Sequence, residues 1–133
     1  MSVTTHTRTR IVRFQGGGLR FLDALDHRVV TRPRRDLDDG QHWRVTDAGD
    51  GLCRIQHVAT GRFLDTHGDS CVVVGSGSNG GTALWRIEDF GGGFATVAQP
   101  STGRFLEAAI DGDFAVLVRP EGDSEQTWRI AAP

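Results

Sequence analysis

The chain is organised by a pattern of apolar and polar residues that occurs three times. The letters RFLD at residues 20–23 return as RFLD at 62–65 and as RFLE at 104–107, so the phenylalanines are 42 residues apart. A second pattern, Trp-Arg followed by Val or Ile, begins at Trp43, Trp85 and Trp128, at spacings of 42 and 43 residues. Two motifs with one period predict three homologous units of about 42 residues.

Within each unit the pattern predicts short strands separated by turns. Val72 and Val74, and then Phe114, Val116 and Val118, alternate with other residues as in a half-buried strand. Glycine, alone at residues 91–93 or with Asp, Asn or His at 67–69, 79–81 and 111–113, predicts turns. No long amphipathic helix is indicated, so the expected class is all-β with about four strands per unit.

Three such units need a shared core, because a unit of this size cannot bury its apolar face alone. Closure around a threefold axis removes most exposed sheet edges, which favours a β-trefoil over a short open stack. We therefore predict one β-trefoil domain over residues 1–133, with repeats at approximately 10–50, 51–92 and 93–133. The predicted central core consists of the repeated phenylalanines, leucines and tryptophans: Phe21, Phe63, Phe105, Leu22, Leu64, Leu106, Trp43, Trp85 and Trp128.

Composition narrows the possible partners. The 133 residues carry 15 basic side chains, all arginine, against 17 acidic ones, for a net charge of −2. No overall positive field is present to hold a nucleic acid, and no apolar run is long enough for membrane insertion. The opening ten residues lack the apolar core of an export signal, so we expect either an intracellular protein or, preferably, a secreted mature form.

The spacing of the cysteines and histidines does not indicate a metal site or a catalytic site. Cys53 and Cys71 are compatible with one disulfide or with two buried thiols. His57 and His67 do not have the close paired spacing of a structural zinc site, so we expect neither metal nor cofactor. Neither a Ser/His/Asp nor a Cys/His arrangement is indicated at motif level, which argues against an enzyme.

The ends of the units carry a family resemblance. Gln41-His42-Trp43 and Gln126-Thr127-Trp128 are Gln-x-Trp motifs, and Asp23 precedes Trp43 by 20 residues. The chain resembles the ricin-B-type lectins over nearly its whole length, especially compact bacterial members of the actinohivin type. The letters GRFLD at residues 61–65 are the best single match.

The resemblance implies a carbohydrate-binding lectin with up to three shallow sugar sites and no catalysis. The carboxylates that would accept hydrogen bonds from sugar hydroxyls are Asp23, Asp65 and Glu107. Asn79 would complete the site in the second unit, while His27 and His67 lie within reach of the same sites. Gln41 and Gln126 would orient the sites from beneath.

The sequence also departs from that family. It has no tyrosine, and the position expected to stack on the sugar holds Thr31, Val73 or Ala115. Apolar contact from Val73, or a phenylalanine such as Phe114 or Phe94, would have to substitute. The second unit has lost its glutamine and reads Ala83-Leu84-Trp85. The arginines at 32, 34 and 35 are expected on a solvated face, or else to hold an acidic sugar or phosphate.

The expected partners are glycans on cell surfaces or polysaccharides, with galactose-like or deoxy sugars favoured, bound by a monomer or small homo-oligomer. The alternative is a protein-interaction module similar to fascin-like trefoils, which also repeat Gly-Arg-aromatic-Leu and a following Asp-Gly turn. Asp111-Gly112 fits that alternative.

Overall fold

The computed structural model describes residues 7–15, 18–36, 39–75, 81–109, 114–121 and 124–131. In this part of the chain the regular secondary structure is almost entirely strand, with single 3-10 turns at Gly81–Ala83 and Ser124–Gln126. The strands are β1 Thr7–Gln15, β2 Gly18–Leu25, β3 Arg28–Arg32, β4 Trp43–Gly49, β5 Leu52–His57, β6 Phe63–His67, β7 Ser70–Val74, β8 Arg86–Gly91, β9 Phe94–Gln99, β10 Arg104–Ala108, β11 Val116–Arg119 and β12 Trp128–Ala131.

Six of these strands close into a barrel. Antiparallel ladders join β1 to β4, β4 to β5, β8 to β9, β9 to β12 and β12 back to β1. The remaining join is made by Cys53 and Trp85, whose amides donate to each other's carbonyl oxygens at 2.8 and 2.9 Å. Because the ring is complete, the barrel has no free sheet edge.

The other six strands form three hairpins that cap the barrel. In each case an amide in the second strand of one hairpin donates to a carbonyl oxygen in the turn of a neighbouring hairpin. These bonds run from Thr31 to Phe114 (2.9 Å), from Val73 to His27 (2.9 Å) and from Val118 to Asp69 (2.8 Å). The hairpins therefore relate to one another around a pseudo-threefold axis, and the predicted all-β trefoil is confirmed. We call β1–β4, β5–β8 and β9–β12 repeats 1, 2 and 3, whereas the predicted boundaries of the domain and repeats stay a prediction.

The core is built from the repeated tryptophans and leucines, as predicted. All six side chains are fully buried: Trp43, Trp85, Trp128, Leu22, Leu64 and Leu106. Each indole Nε1 donates to the carbonyl oxygen of the leucine of its own repeat, at 2.9, 3.1 and 3.0 Å respectively. The tryptophans are therefore structural residues, with no ring face available for a ligand.

The predicted core role of the phenylalanines is wrong for two of the three. Phe63 and Phe105 are only partly buried, because successive side chains of a strand point to opposite faces and the adjacent leucine faces the core. Phe21 is buried, but it lies beneath the guanidinium of Arg10, 5.6 Å from the ring centroid. The alternation is confirmed at Val116 and Val118, whereas in β7 the buried face carries Cys71 and Val73.

Candidate functional site

The three repeated carboxylates occupy equivalent places in the fold. Each follows the core leucine whose carbonyl oxygen accepts the tryptophan hydrogen bond. Their exposures differ, since Asp23 is fully buried, Asp65 is 7% exposed and Glu107 is partly exposed. Repeats 2 and 3 therefore present their carboxylates to solvent more openly than repeat 1.

Local contacts occupy the carboxylate of repeat 1. Oδ1 of Asp23 accepts a hydrogen bond from the Ala24 amide at 2.7 Å, and Oδ2 accepts from Gln41 Nε2 at 3.2 Å. Nη1 of Arg35 lies 3.4 Å from Oδ2. A sugar hydroxyl would have to displace Arg35, whose side chain is 30% exposed.

Repeat 3 shares the glutamine support but leaves its carboxylate more open. Nε2 of Gln126 donates to Glu107 at 3.0 Å and to the Pro120 carbonyl oxygen at 2.8 Å. Gln41 makes the matching bond to the Pro33 carbonyl oxygen, also at 2.8 Å. Each glutamine thus ties a carboxylate to the loop before the tryptophan, which fixes the carboxylate's direction.

Repeat 2 lacks this glutamine, and a residue of β9 holds its loop. Ala83 stands where the glutamine would be, and Nε2 of Gln99 donates instead to the Thr82 carbonyl oxygen at 2.7 Å and to Thr66 Oγ1 at 3.0 Å. Oδ1 of Asp65 accepts from the Thr66 amide at 2.7 Å. Asn79, the predicted partner of Asp65, lies outside the described residues.

The role of Gln99, and of the equivalent residues His57 and Arg13, was not predicted from the sequence. His57 Nε2 lies 2.8 Å from the Gly40 carbonyl oxygen, and Arg13 Nη1 donates to the Thr127 carbonyl oxygen at 3.2 Å. All three are buried opposite a tryptophan and hold the loop that precedes it. The 42-residue separation of His57 and Gln99 was a signal that could have found them.

The predicted contact from Val73 needs correction. Its side chain is 2% exposed and belongs to the core cluster, because it stands opposite Leu64 in the β6–β7 ladder. Thr31 is buried at the corresponding place, and the residue there in repeat 3 is Val118, opposite Leu106. Ala115 was misplaced because seven residues separate Ala108 from Val116, whereas four separate Ala24 from Val29.

The two histidines differ in their surroundings. Nδ1 of His27 is hydrogen-bonded to Nη1 of Arg62 from the next repeat. Equivalent arginines reach the same turn position in the other hairpins, where Arg104 pairs with Asp69 and Arg20 lies 3.5 Å from the Phe114 ring centroid. His27 and Phe114 therefore take part in inter-repeat contacts. His67 is exposed at the end of β6.

The arginine run lies on a charged surface beside repeat 1, and Asp36 and Arg10 connect it to the ring of His42. Nε of Arg34 lies 3.0 and 3.1 Å from the two carboxylate oxygens of Asp36. Burial, followed by the nearby Arg8 and Arg10 guanidinium groups, lowers the pKa of His42 from its ordinary value. Nε of Arg8 donates to His42 Nδ1 at 2.8 Å, so the ring is held as a neutral acceptor at that nitrogen.

Cys53 and Cys71 are free and buried, which decides between the two alternatives for these thiols. Across the described residues, no group of three His, Cys, Asp or Glu side chains has the arrangement of a metal site. The same residues include no helix long and apolar enough to span a bilayer.

A family model for the ricin-type beta-trefoil lectin domain-like proteins matches residues 39–117, more than half of the chain. The chain belongs to this family. A search of curated protein sequences finds no significant relative of this ricin-type domain.

Solved structures share the fold of this ricin-type domain. The designed threefold symmetric protein ThreeFoil is 24% identical, with a TM-score of 0.79 over 95% of this chain and 99% of its own. The Macrolepiota procera ricin B-like lectin, solved with lactose, is 16% identical, with a TM-score of 0.80 and all of both chains covered. The Polyporus squamosus lectin, solved with the epitope Neu5Aca2-6Galb1-4GlcNAc, is 15% identical, with a TM-score of 0.82. The match covers 97% of this chain but only 50% of that one.

Proposed function

We propose that the protein is a lectin that binds carbohydrate through its repeated carboxylates and catalyses no reaction. The observation that carries this proposal is the arrangement of carboxylate, glutamine and tryptophan in a chain of the ricin-type family. In repeats 1 and 3 a glutamine holds the carboxylate at 3.2 and 3.0 Å, directly after the leucine that accepts the indole hydrogen bond.

The chemistry of these groups suits a polyhydroxylated ligand. An ionised carboxylate has two oxygens and accepts hydrogen bonds from two neighbouring ring hydroxyls, and charge-assisted bonds are the stronger kind. Each bond replaces a bond to water and has a small net gain of about 1 kcal/mol. Single sites should therefore be weak, and two or three sites on one rigid body would raise the avidity for a decorated surface by ~100-fold.

We propose that the three repeats differ in how accessible their carboxylates are to a sugar. Glu107, which is partly exposed, would serve as the most accessible site, and Asp65, at 7% exposure, would be more accessible than the fully buried Asp23. Asp23 would form a third site only after Arg35 moves away. His67 stays a candidate contact beside Asp65, and galactose-like sugars on cell surfaces or polysaccharides stay the proposed ligands, by analogy with the lectin solved with lactose.

The test is a glycan array combined with competition by free galactose, fucose and mannose. Asp65→Asn and Glu107→Gln are the informative variants, because each keeps the shape of the side chain and a carbonyl oxygen that accepts the existing hydrogen bond. We expect the double variant to lose at least ~10-fold in avidity, with the melting temperature changed by only ~2 °C.

Glu88→Gln is the matched control, because Glu88 is an exposed carboxylate on the barrel. Avidity unchanged in the double variant would show that the repeated carboxylates are not the sites. If no sugar binds the unaltered protein at ~10 mM, the lectin proposal fails and a fascin-like interaction module becomes the better account. Turnover of a glycoside would contradict the absence of catalysis.

A further inference from the structure

A groove on the outer wall of the barrel lies apart from the repeated carboxylates. It crosses four neighbouring strands in the order β9, β12, β1 and β2. Its cavity of about 500 Å³ is lined by residues that include Phe94, Arg129, Val12, Arg13 and Leu19, and by none of the three carboxylates. That volume lies within the ~300–1,000 Å³ range of small-molecule sites. We call this feature the wall groove.

The apolar part of the wall groove is open to solvent. Phe94 is 42% exposed and Leu19 is 53% exposed, although positions on an outer surface are usually occupied by polar side chains. An accessible phenylalanine ring offers a flat apolar surface on which the face of another six-membered ring can stack.

The polar part of the wall groove is cationic. The Arg129 guanidinium lies 5.6 Å from the Phe94 ring centroid and, among the described residues, has neither a carboxylate partner nor a hydrogen-bond acceptor. Arg13 adds a second guanidinium that lines the cavity, 5.7 Å from the Trp128 ring. None of the described residues that line the groove is acidic, so the charge of this lining is complementary to an anion.

The fold does not require these residues, because the equivalent positions in the other repeats differ. The ladders align Leu19 with Gly61 and Gly103, and they align Phe94 with Leu52. Val12 likewise corresponds to Gln56 and Ala98. The fold is therefore built with leucine in place of the phenylalanine in repeat 2, and with glycine in place of Leu19 in repeats 2 and 3.

From the stacking surface beside two guanidinium groups, we infer that the wall groove binds a carboxylated six-membered ring. The ring face would lie on Phe94, and the carboxylate would accept hydrogen bonds from Arg129. A uronic acid from a polysaccharide and an aromatic carboxylate both supply this chemistry. The inference does not depend on the repeated carboxylates binding sugar.

The probes that test it are glucuronate and benzoate, each compared with its neutral counterpart, glucose or benzyl alcohol, by calorimetry and by amide chemical shifts. We expect at least one acid to bind with a Kd of ~1 mM and its neutral counterpart to bind at least ~10-fold more weakly. Binding of glucuronate alone would identify a sugar acid, and binding of benzoate alone an aromatic acid.

Two variants locate the binding. Phe94→Leu introduces the residue found at the equivalent position of repeat 2, so the fold should be kept. Arg129→Gln removes the positive charge that would bind the carboxylate. Each variant should bind the acid ~10-fold more weakly. Phe90→Leu is the control, because Phe90 is exposed on the same hairpin but does not line the groove. The inference is wrong if neither acid binds at ~20 mM, if the neutral counterparts bind equally well, or if both variants bind like the unaltered protein. Loss of binding in Asp65→Asn instead would place the acid in the sugar site and also overturn it.

Discussion

Replacing the three core tryptophans singly by phenylalanine would test the threefold construction of the molecule. Each indole is fully buried, and its Nε1 donates to a leucine carbonyl oxygen at 2.9 to 3.1 Å. The amide opposite that leucine in the hairpin cannot take over, because it donates to the neighbouring repeat, as Thr31 does to Phe114. The substitution therefore leaves a buried carbonyl oxygen without its donor and removes part of the ring volume.

The magnitude follows from these two losses. An unsatisfied buried polar group costs ~1–3 kcal/mol, and the smaller ring adds a cavity term, so each variant should lose ~2–4 kcal/mol of unfolding free energy. For a chain of this size that corresponds to ~10 °C in melting temperature. Urea unfolding followed by fluorescence and circular dichroism measures the loss, with Phe90→Leu as a surface control expected within ~0.5 kcal/mol. A loss below ~1 kcal/mol in one variant, beside large losses in the other two, would refute equivalent roles for the three tryptophans.

Three further predictions concern single groups. Arg35→Gln removes the cation beside Asp23, so calorimetry should count one additional sugar site per chain, and an unchanged stoichiometry would contradict a closed site in repeat 1. Burial, and less strongly Asp47, raises the pKa of Cys53 to about 12, while burial and then Asp65 raise the pKa of Cys71. A thiol reagent at pH 8 should therefore react at least ~100-fold more slowly with the native than with the urea-unfolded protein, and rapid labelling of either native thiol would disagree. Burial, Arg8 and Arg10 lower the pKa of His42 in the folded protein, so the unfolded chain protonates this histidine at a higher pH than the folded chain does. The free energy of unfolding should therefore decrease as the pH drops below about 6.5. His42→Gln should flatten that part of the curve of melting temperature against pH, and identical curves would exclude His42 as the cause.

The repeat spacing was sufficient to predict the fold, because the apolar residues that recur at one period are those that must meet in one core. The tryptophans and leucines were placed correctly for this reason. Phe63 and Phe105 were not, since adjacent residues in a strand cannot both face the core and the spacing alone does not say which one does. Val73 and Val72 show the same difficulty, because a shift of one residue in register exchanges the two faces.

The site was less predictable from sequence, because its state depends on residues distant along the chain. Asp23 and Asp65 were both assigned to sugar sites, but Arg35 and Gln41 contact Asp23, which is fully buried. The loss of the glutamine of repeat 2 was visible in the sequence, but the approach of Gln99 from β9 to Thr66 and Thr82 was not. His27 was assigned to a sugar site, yet its ring contacts Arg62 of the next repeat. No local motif encodes these long-range contacts.

Binding at the repeated carboxylates can be observed directly by titrating the sugar that binds best in the array and following the amide resonances of the residues after each carboxylate. The Thr66 amide donates to Asp65, and Ala108 directly follows Glu107, so both resonances should shift and saturate as the sugar is added. The two shifts should disappear in Asp65→Asn and Glu107→Gln respectively. If the sugar binds while neither amide responds, carbohydrate recognition lies elsewhere on the molecule and the proposed sites are wrong.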